Sequence, residues 1–313
     1  MTKYAFVFPG QGSQAVGMLA ELANTYPIVK QTFAEASEQL GYDLWQLTQA
    51  GPEESLNQTD KTQPAMLAAG VSVWRVWSSQ TQSKPIYMAG HSFGEYSALT
   101  CAEAISYPDA VLLAQARGRF MRDAVAPNSG AVAAVLGLDD EALIEACKQA
   151  AQGQIVAAVN FNAPGQVVVA GEKAAVERAI ALAKTAGAKK AILLPVSVPV
   201  HCDLMRPAAE KMAEQLAQVT ISPPTIPVIH NVDVATHADA INIRQALVSQ
   251  IYSPVRWTET VQYMVEQGVT TLFEGGPGKV LAGLTKRIAK DLQSLPIYDL
   301  NSLEQALQRV EQE

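Results

Sequence analysis

The stretch "PIYMAGHSFGEYSALTCAEA", residues 85–104, joins an apolar run to a helix-like run through Gly90-His91-Ser92-Phe93-Gly94. A short continuous apolar segment that stops at a glycine reads as a strand buried on both faces, as in a parallel sheet. The G-x-S-x-G spacing between such a strand and a helix predicts a sharp turn. Glycines two positions either side of the serine remove side chains where strand and helix nearly touch, and the serine is pushed into a cleft. Ser92 is therefore the candidate nucleophile. Glycine and serine also build ordinary turns, so it is the flanking strand and helix that carry the reading.

Outward from this turn, "YAFVF" (4–8) ends at Pro9-Gly10 and predicts a second buried strand. "PIVKQTFAEASEQL", "KTQPAMLAAGVSVWRVWSSQ" and "YPDAVLLAQARGRFMRDAV" carry apolar residues at helical spacing. Strands alternating with helices predict an α/β domain with a mostly parallel sheet. From about 127 to 197 the order changes. "GAVAAVLG" reads as a strand, "DDEALIEACKQAA" as a helix, and "IVAAVNF" and "QVVVAG" as two strands split by a turn at Asn162-Ala163-Pro164-Gly165. "EKAAVERAIALAKTAG" is a helix and "KAILLPV" a last strand. That βαββαβ order is ferredoxin-like. After about 200 the α/β pattern resumes, with "IPVIHNV" and "TTLFEG" as strands and "GKVLAGLTKRIAKDL" as a helix. The expected organisation is a large α/β domain from residues 1–126 and 198–313 and a ferredoxin-like insert at 127–197, with a ligand cleft between them.

Composition narrows the class. Of 313 residues, 49% are hydrophobic and 17% charged, a globular balance, and the net charge is −7. An acidic chain of this kind argues against coating nucleic acid or an anionic membrane. No apolar run reaches the ~20 residues that span a bilayer, and the N-terminal apolar segment is too short for a signal-peptide core. Cys101, Cys147 and Cys202 stand far apart without a C-x-x-C pair, so neither a zinc site nor a disulfide framework is expected. Reduced thiols in a cytoplasmic protein are the simplest reading.

A serine hydroxyl needs a base. His91 neighbours Ser92 in the chain, and side chains diverge on such a turn. His237 lies in the polar stretch "DVATHADA". His201 precedes a helix-like run and His230 ends "IPVIH"; pattern alone leaves these two nearly even. "FPGQGSQ" (8–14) fits the loose dinucleotide pattern G-x-G-x-x-A, but the acids that should follow, Glu35 and Glu38, lie in a helical run rather than at a strand end. It also lacks the G-K-[S/T] of a phosphate loop. Its better role is to offer backbone N–H groups or the Gln11 amide to an oxyanion.

"FPGQGSQ", "GHSFGEYSAL", "QARGRFM", "NFNAPGQVVVAG", "VPVHCDLM", "SQIYSPVRW" and "FEGGPGKVL" occur in the order and spacing of the malonyl-CoA:acyl carrier protein transacylases, and the resemblance runs essentially from end to end. It resembles the stand-alone bacterial fatty-acid-synthesis enzymes more than a polyketide-synthase module. The resemblance implies an α/β-hydrolase-like large domain with the ferredoxin-like insert. It implies malonyl transfer through Ser92, with His201 as general base and the backbone carbonyl of Gln250 orienting that histidine. It assigns the malonyl carboxylate to Arg117, and the oxyanion to Gln11 and the N–H of Phe93. Malonyl-CoA and acyl carrier protein are the implied partners of an expected monomer, with neither metal nor other cofactor. One departure is the tetrapeptide Val198-Pro199-Val200-His201, which is neither the HAFH of many malonyl-specific modules nor the YASH of methylmalonyl-specific ones.

Taken by position alone, Arg117 reads as a surface arginine on an amphipathic helix, with Arg119 and Arg122 as neighbours. Under the resemblance it becomes a guanidinium fork for a carboxylate. A serine hydrolase or thioesterase is the alternative function, with Glu274 as the available acid; a non-catalytic acyl-binding module is a further one. Acyl carrier proteins are acidic, so docking on an acidic chain requires a local basic patch. Candidates are Lys189 and Lys190, and Lys279, Lys286, Arg287 and Lys290 on one expected helix, 278–292.

Overall fold

The computed structural model of the chain describes residues 3–196 and 198–311. Ser197, the last residue of the expected insert, and the two residues at each end lie outside the described residues. In chain order the strands are β1 (Tyr4–Phe8), β2 (Tyr87–Gly90), β3 (Gly130–Leu136), β4 (Val156–Ala163), β5 (Gln166–Glu172), β6 (Lys190–Leu193), β7 (Val228–Ile229), β8 (Thr271–Gly275) and β9 (Gln293–Ile297). They form a five-stranded sheet, β7-β2-β1-β8-β9, and a four-stranded sheet, β4-β5-β3-β6. Every pairing in the first is parallel, and every pairing in the second is antiparallel.

The apolar run of β1 is continuous because both of its faces are covered. Tyr4, Phe6 and Phe8 point into one core with Trp77 and Phe273, while Ala5 and Val7 point into another with Trp257 and Val261. Alternate residues of a strand face opposite sides, so a central parallel strand needs apolar residues at every position. Each fully buried Phe or Leu side chain contributes ~1.5–3 kcal/mol relative to exposure. The order in which β2 and β8 flank β1 makes the carboxyl end of β1 a switch point, where α/β sheets bind ligands.

The smaller sheet carries the helices Asp140–Ala151 and Lys173–Thr185, which completes βαββαβ. It is tied to the large unit through β4: the Phe161 N–H donates to the Val255 carbonyl at 3.0 Å, and the Val255 N–H donates to the Val159 carbonyl at 2.8 Å. Two register shifts, at Ala158/Asn160 and Phe161/Ala163, break the β4–β5 ladder. Such bulges re-aim side chains, and Asn160 and Asn162 of this stretch line the cleft.

Several elements differ from expectation. Asn162 and Ala163 belong to β4, so the hairpin turn is Pro164-Gly165 alone. β6 stops at Leu193, short of the expected 196, because Pro195 has no N–H for a ladder. "IPVIHNV" shrinks to the two residues of β7 at the sheet edge. β9 is an additional parallel strand that the sequence reading passed over; its run "QSLPI" is half-exposed and interrupted by Pro296. The expected helix 278–292 is only Val280–Ile288, so Lys279 and Lys290 fall outside it and the shared helix face is lost. Among the described residues no helix is long and apolar enough to cross a membrane.

Candidate active site

Ser92 sits between β2 and the helix Gly94–Cys101 with φ of 50°, a strained left-handed value for a non-glycine residue. The flanking glycines make the turn possible. A Cβ on Gly90 would stand 1.8 Å from the Gly94 carbonyl carbon, and one on Gly94 would stand 2.2 Å from the Phe8 oxygen. The Ser92 N–H donates to Asn231 Oδ1 at 2.7 Å, and Asn231 Nδ2 donates to the Gly90 carbonyl at 2.7 Å. Asn231 thereby splints the turn from the neighbouring strand end.

Ser92 Oγ lies 2.7 Å from His201 Nε2, and His201 Nδ1 lies 2.7 Å from the Gln250 backbone oxygen. A carbonyl only accepts, so Nδ1 carries the proton and Nε2 is left to accept from the serine hydroxyl. His201 is 1% exposed and also adopts a left-handed φ, 59°. Burial, and then the nearby charge of Arg117, lower its pKa to about 3, against which the Gln250 carbonyl works in the opposite direction. The imidazole is thus neutral throughout the physiological range, with Nε2 free to accept.

His230, the other histidine that pattern could not exclude, is elsewhere occupied. Its Nδ1 donates to Glu95 Oε1 at 2.7 Å, and both side chains are fully buried. His91 Nε2 pairs with Asn162 Oδ1 at 2.7 Å, and His237 Nε2 with Asp233 Oδ2 at 2.7 Å. Glu274 is also elsewhere: its two oxygens accept the N–H groups of Leu281 at 3.0 Å and Ala282 at 2.7 Å. It caps the helix Val280–Ile288, and burial raises its pKa to about 7.

Arg117 is not on the surface. It is 1% exposed, on the buried side of the helix Tyr107–Asp123. One Nη donates to Gln63 Oε1 at 3.0 Å and the other to Gln250 Oε1 at 2.9 Å. The Phe93 and Tyr96 rings lie 5.8 and 5.6 Å from its guanidinium carbon. Its Nε is buried without a partner, and among the described residues no carboxylate forms an ion pair with it. Burial lowers its pKa, the direction expected of a charge withdrawn from water. A buried cation whose two Nη groups meet neutral amide oxygens is an anion site in waiting. The other two arginines of this helix are differently placed: Arg122 pairs with Asp60 at 2.8 Å, and Arg119 lies over Phe120.

Ser92, His201, Arg117 and Gln11 open onto one cavity of about 480 Å³, which Asn160 of the small sheet and Leu194, just past β6, close from the other side. Gln11 is exposed at its mouth, its amide only 3.4 Å from Thr59 Oγ1. Phe93 precedes the helix Gly94–Cys101, where the first N–H groups lack intrahelical acceptors. The structure therefore gathers all six residues singled out from the sequence. Sequence reasoning missed Asn231, Glu95 and Gln63. Their signal was faint: an acid next to the G-x-S-x-G turn, and a glutamine where a polar first turn gives way to an apolar helix.

The chain matches the family model described as acyl transferase domain over residues 5–300. It is 58% identical over 307 residues to the malonyl CoA-acyl carrier protein transacylase of Salmonella typhimurium, covering 98% of this chain and 99% of that protein. The enzyme of the same name from Bacillus subtilis is 43% identical over 314 residues, covering 100% of this chain and 99% of that one. Among solved structures, an acyl carrier protein S-malonyltransferase from Vibrio cholerae superposes with a TM-score of 0.96 at 58% identity, covering 97% of this chain and 100% of that chain. A malonyl-transacylase in complex with its type II PKS acyl-carrier protein superposes with a TM-score of 0.97 at 56% identity, covering 98% and 100%.

Proposed function

The chain belongs to the acyl transferase domain family, and from that premise we propose that it moves a malonyl group from malonyl-CoA to the phosphopantetheine thiol of an acyl carrier protein, supplying fatty acid synthesis. Ser92 Oγ attacks the thioester carbonyl while His201 Nε2 takes its proton. The oxyanion forms against the Gln11 amide and the Phe93 N–H, and collapse expels the CoA thiol, which leaves with the proton held by His201. The carrier thiol then gives its proton to His201 and attacks the malonyl-serine, and collapse breaks the ester bond as Ser92 Oγ takes that proton back from His201. The Gln250 carbonyl keeps His201 in the required tautomer through both halves.

The observation that carries this reading is Arg117, buried, facing the Ser92 cavity and, among the described residues, in no ion pair with a carboxylate. A malonyl carboxylate completes it with charge-assisted bonds. An acyl group without that acid leaves the cation unpaired, at a cost of ~1–3 kcal/mol. Neutralising Arg117 also removes one of the influences that depress the His201 pKa, so the base strengthens when the right acyl group is present.

The supporting roles extend to the rest of the chain. We place the insert at 127–197. All six site residues come from one chain, so a monomer suffices. Three free, buried thiols suit the cytoplasm. For carrier docking we retain Lys189, Lys190, Lys279, Lys286, Arg287 and Lys290, all exposed. Lys286 and Lys290 border a common surface groove although the helix ends between them.

Intact-mass measurement after mixing with malonyl-CoA, and then with carrier protein, tests the function. Transfer requires a malonyl adduct on Ser92 that persists in water and moves to the carrier. An adduct lost to water before carrier is added would establish a hydrolase instead.

A further inference from the structure

Beneath the cavity, Gln250 connects the two halves of the site. Its backbone oxygen faces His201, while its side-chain amide reaches Arg117, the Ser92 carbonyl and Glu95. Nε2 donates to the Ser92 oxygen at 2.9 Å and to Glu95 Oε2 at 2.8 Å; Oε1 accepts from Arg117 at 2.9 Å. Glu95 is 0% exposed, and its oxygens also accept from His230 Nδ1 at 2.7 Å and the Asn231 N–H at 2.9 Å.

We propose that Glu95 is a positioning residue for acyl selectivity, fixing the amide of Gln250 so that its oxygen, not its nitrogen, faces Arg117. This rests on the malonyl-transfer reading above.

An amide has one end that donates and one that accepts. A carboxylate and a backbone carbonyl accept only, so Glu95 and the Ser92 oxygen together demand the NH₂ end of Gln250. The oxygen is then turned to a guanidinium, which donates only. In the opposite orientation the Gln250 NH₂ would meet the Arg117 N–H groups, and its oxygen would meet two acceptors. The Glu95 carboxyl group thus sets a polarity that runs from Glu95 through Gln250 to Arg117.

The arrangement also separates opposite charges usefully. Glu95 helps to compensate the buried arginine through an intervening neutral group and leaves the guanidinium fork open. A carboxylate placed directly against Arg117 would occupy the fork and compete with the substrate's own acid. Gln63 holds the second Nη in the same way, with a neutral oxygen.

The test is Glu95→Gln. A glutamine cannot accept at both of its polar atoms, so the three N–H groups that now converge on Glu95 cannot all be satisfied. Native protein and variant are each given an equimolar mixture of malonyl-CoA and acetyl-CoA, and the two Ser92 adducts are quantified by intact mass. KM and kcat are measured for each thioester separately. The variant should lose about tenfold or more in malonyl preference, the scale of a disordered buried charge-assisted contact. The loss should lie mainly in malonyl-CoA KM, whereas any disturbance of Ser92 or His201 passed on through Asn231 or Gln250 lowers kcat for both thioesters alike and leaves their ratio unmoved. Glu95→Asp, which keeps two acceptor oxygens, should restore part of the preference. Equal losses for both thioesters, or an unchanged ratio, would overturn the proposal. If Glu95→Gln does not fold, Gln250→Leu takes its place. It retains the backbone carbonyl at His201, and an unchanged ratio there is equally fatal. A native protein that forms no malonyl adduct, or that fails to discriminate, would instead overturn the malonyl-transfer reading.

Discussion

His201 and His230 are both buried histidines beside the serine turn, and each places Nδ1 in a 2.7 Å hydrogen bond. The difference lies in the acceptor. His201 faces the neutral carbonyl of Gln250, whereas His230 faces the carboxylate of Glu95. The acid that a hydrolase would set behind its catalytic histidine here stands behind the histidine that does not touch Ser92. A carboxylate near His201 would also lie near Arg117 and compete for the fork. Keeping the acid one amide away preserves an open cation for the substrate and a neutral base for the serine.

The largest expected effect that would break this comparison comes from His201→Ala. It should lower the rate of Ser92 acylation by ~10²–10⁴-fold, the usual worth of a positioned general base, as read from the burst of CoA thiol release. His230→Gln should instead act mainly on stability, lowering the free energy of unfolding by ~1–3 kcal/mol through a lost hydrogen bond to a buried charge. Denaturant titration checks it. Comparable losses of acylation in both variants would remove the distinction.

Arg117→Ala should reduce the preference for malonyl over acetyl by ~10–100-fold, matching the ~1–3 kcal/mol left by an unpaired buried cation. Arg117→Lys should recover only part, because an ammonium cannot reproduce the two-pronged contact. Competition between the two thioesters measures both.

A contrast in stability is read through pH. The unfolded chain protonates this histidine near 6.5, whereas the folded protein withholds the proton to about 3. Stability from a neutral His201 is therefore present above 6.5 and is lost as pH falls towards 3. Its contribution to the slope approaches about 1.4 kcal/mol per pH unit. Urea titrations across that window should show a shallower pH dependence for His201→Gln than for the native chain.

The smallest effect concerns the carrier. Lys286→Glu with Arg287→Glu should raise the KM for carrier protein with little change in acylation by malonyl-CoA, and the difference should fade at high salt. An unchanged KM at low salt removes these residues from the docking surface.

Much of this was legible because local spacing carries it. G-x-S-x-G between a strand and a helix has few steric solutions, and the five consecutive apolar residues of β1 suit a strand covered on both faces. β9 was not legible: a short, half-exposed edge strand containing Pro296 has neither periodicity nor uniform burial to betray it. Helix length was overread at 278–292, where apolar spacing continues past the point at which the backbone leaves the helix at Ala289.

The site divides in the same way. From the chain itself came the nucleophile, a candidate oxyanion role for Gln11 and the βαββαβ order of the insert; His201, Gln250, Arg117 and Phe93 came from the resemblance of its motifs to a known family. Spacing alone could not say which histidine meets Ser92, because strand-end histidines look alike until distant segments pack; the fold shows the contact itself. Only packing could turn Arg117 from a plausible surface residue into a buried cation, since burial depends on what covers a helix face rather than on the face itself. Glu95, Gln250 and Asn231 lie up to 155 residues apart along the chain. Their directed hydrogen bonds exist only after folding, and these bonds fix which end of an amide the arginine sees.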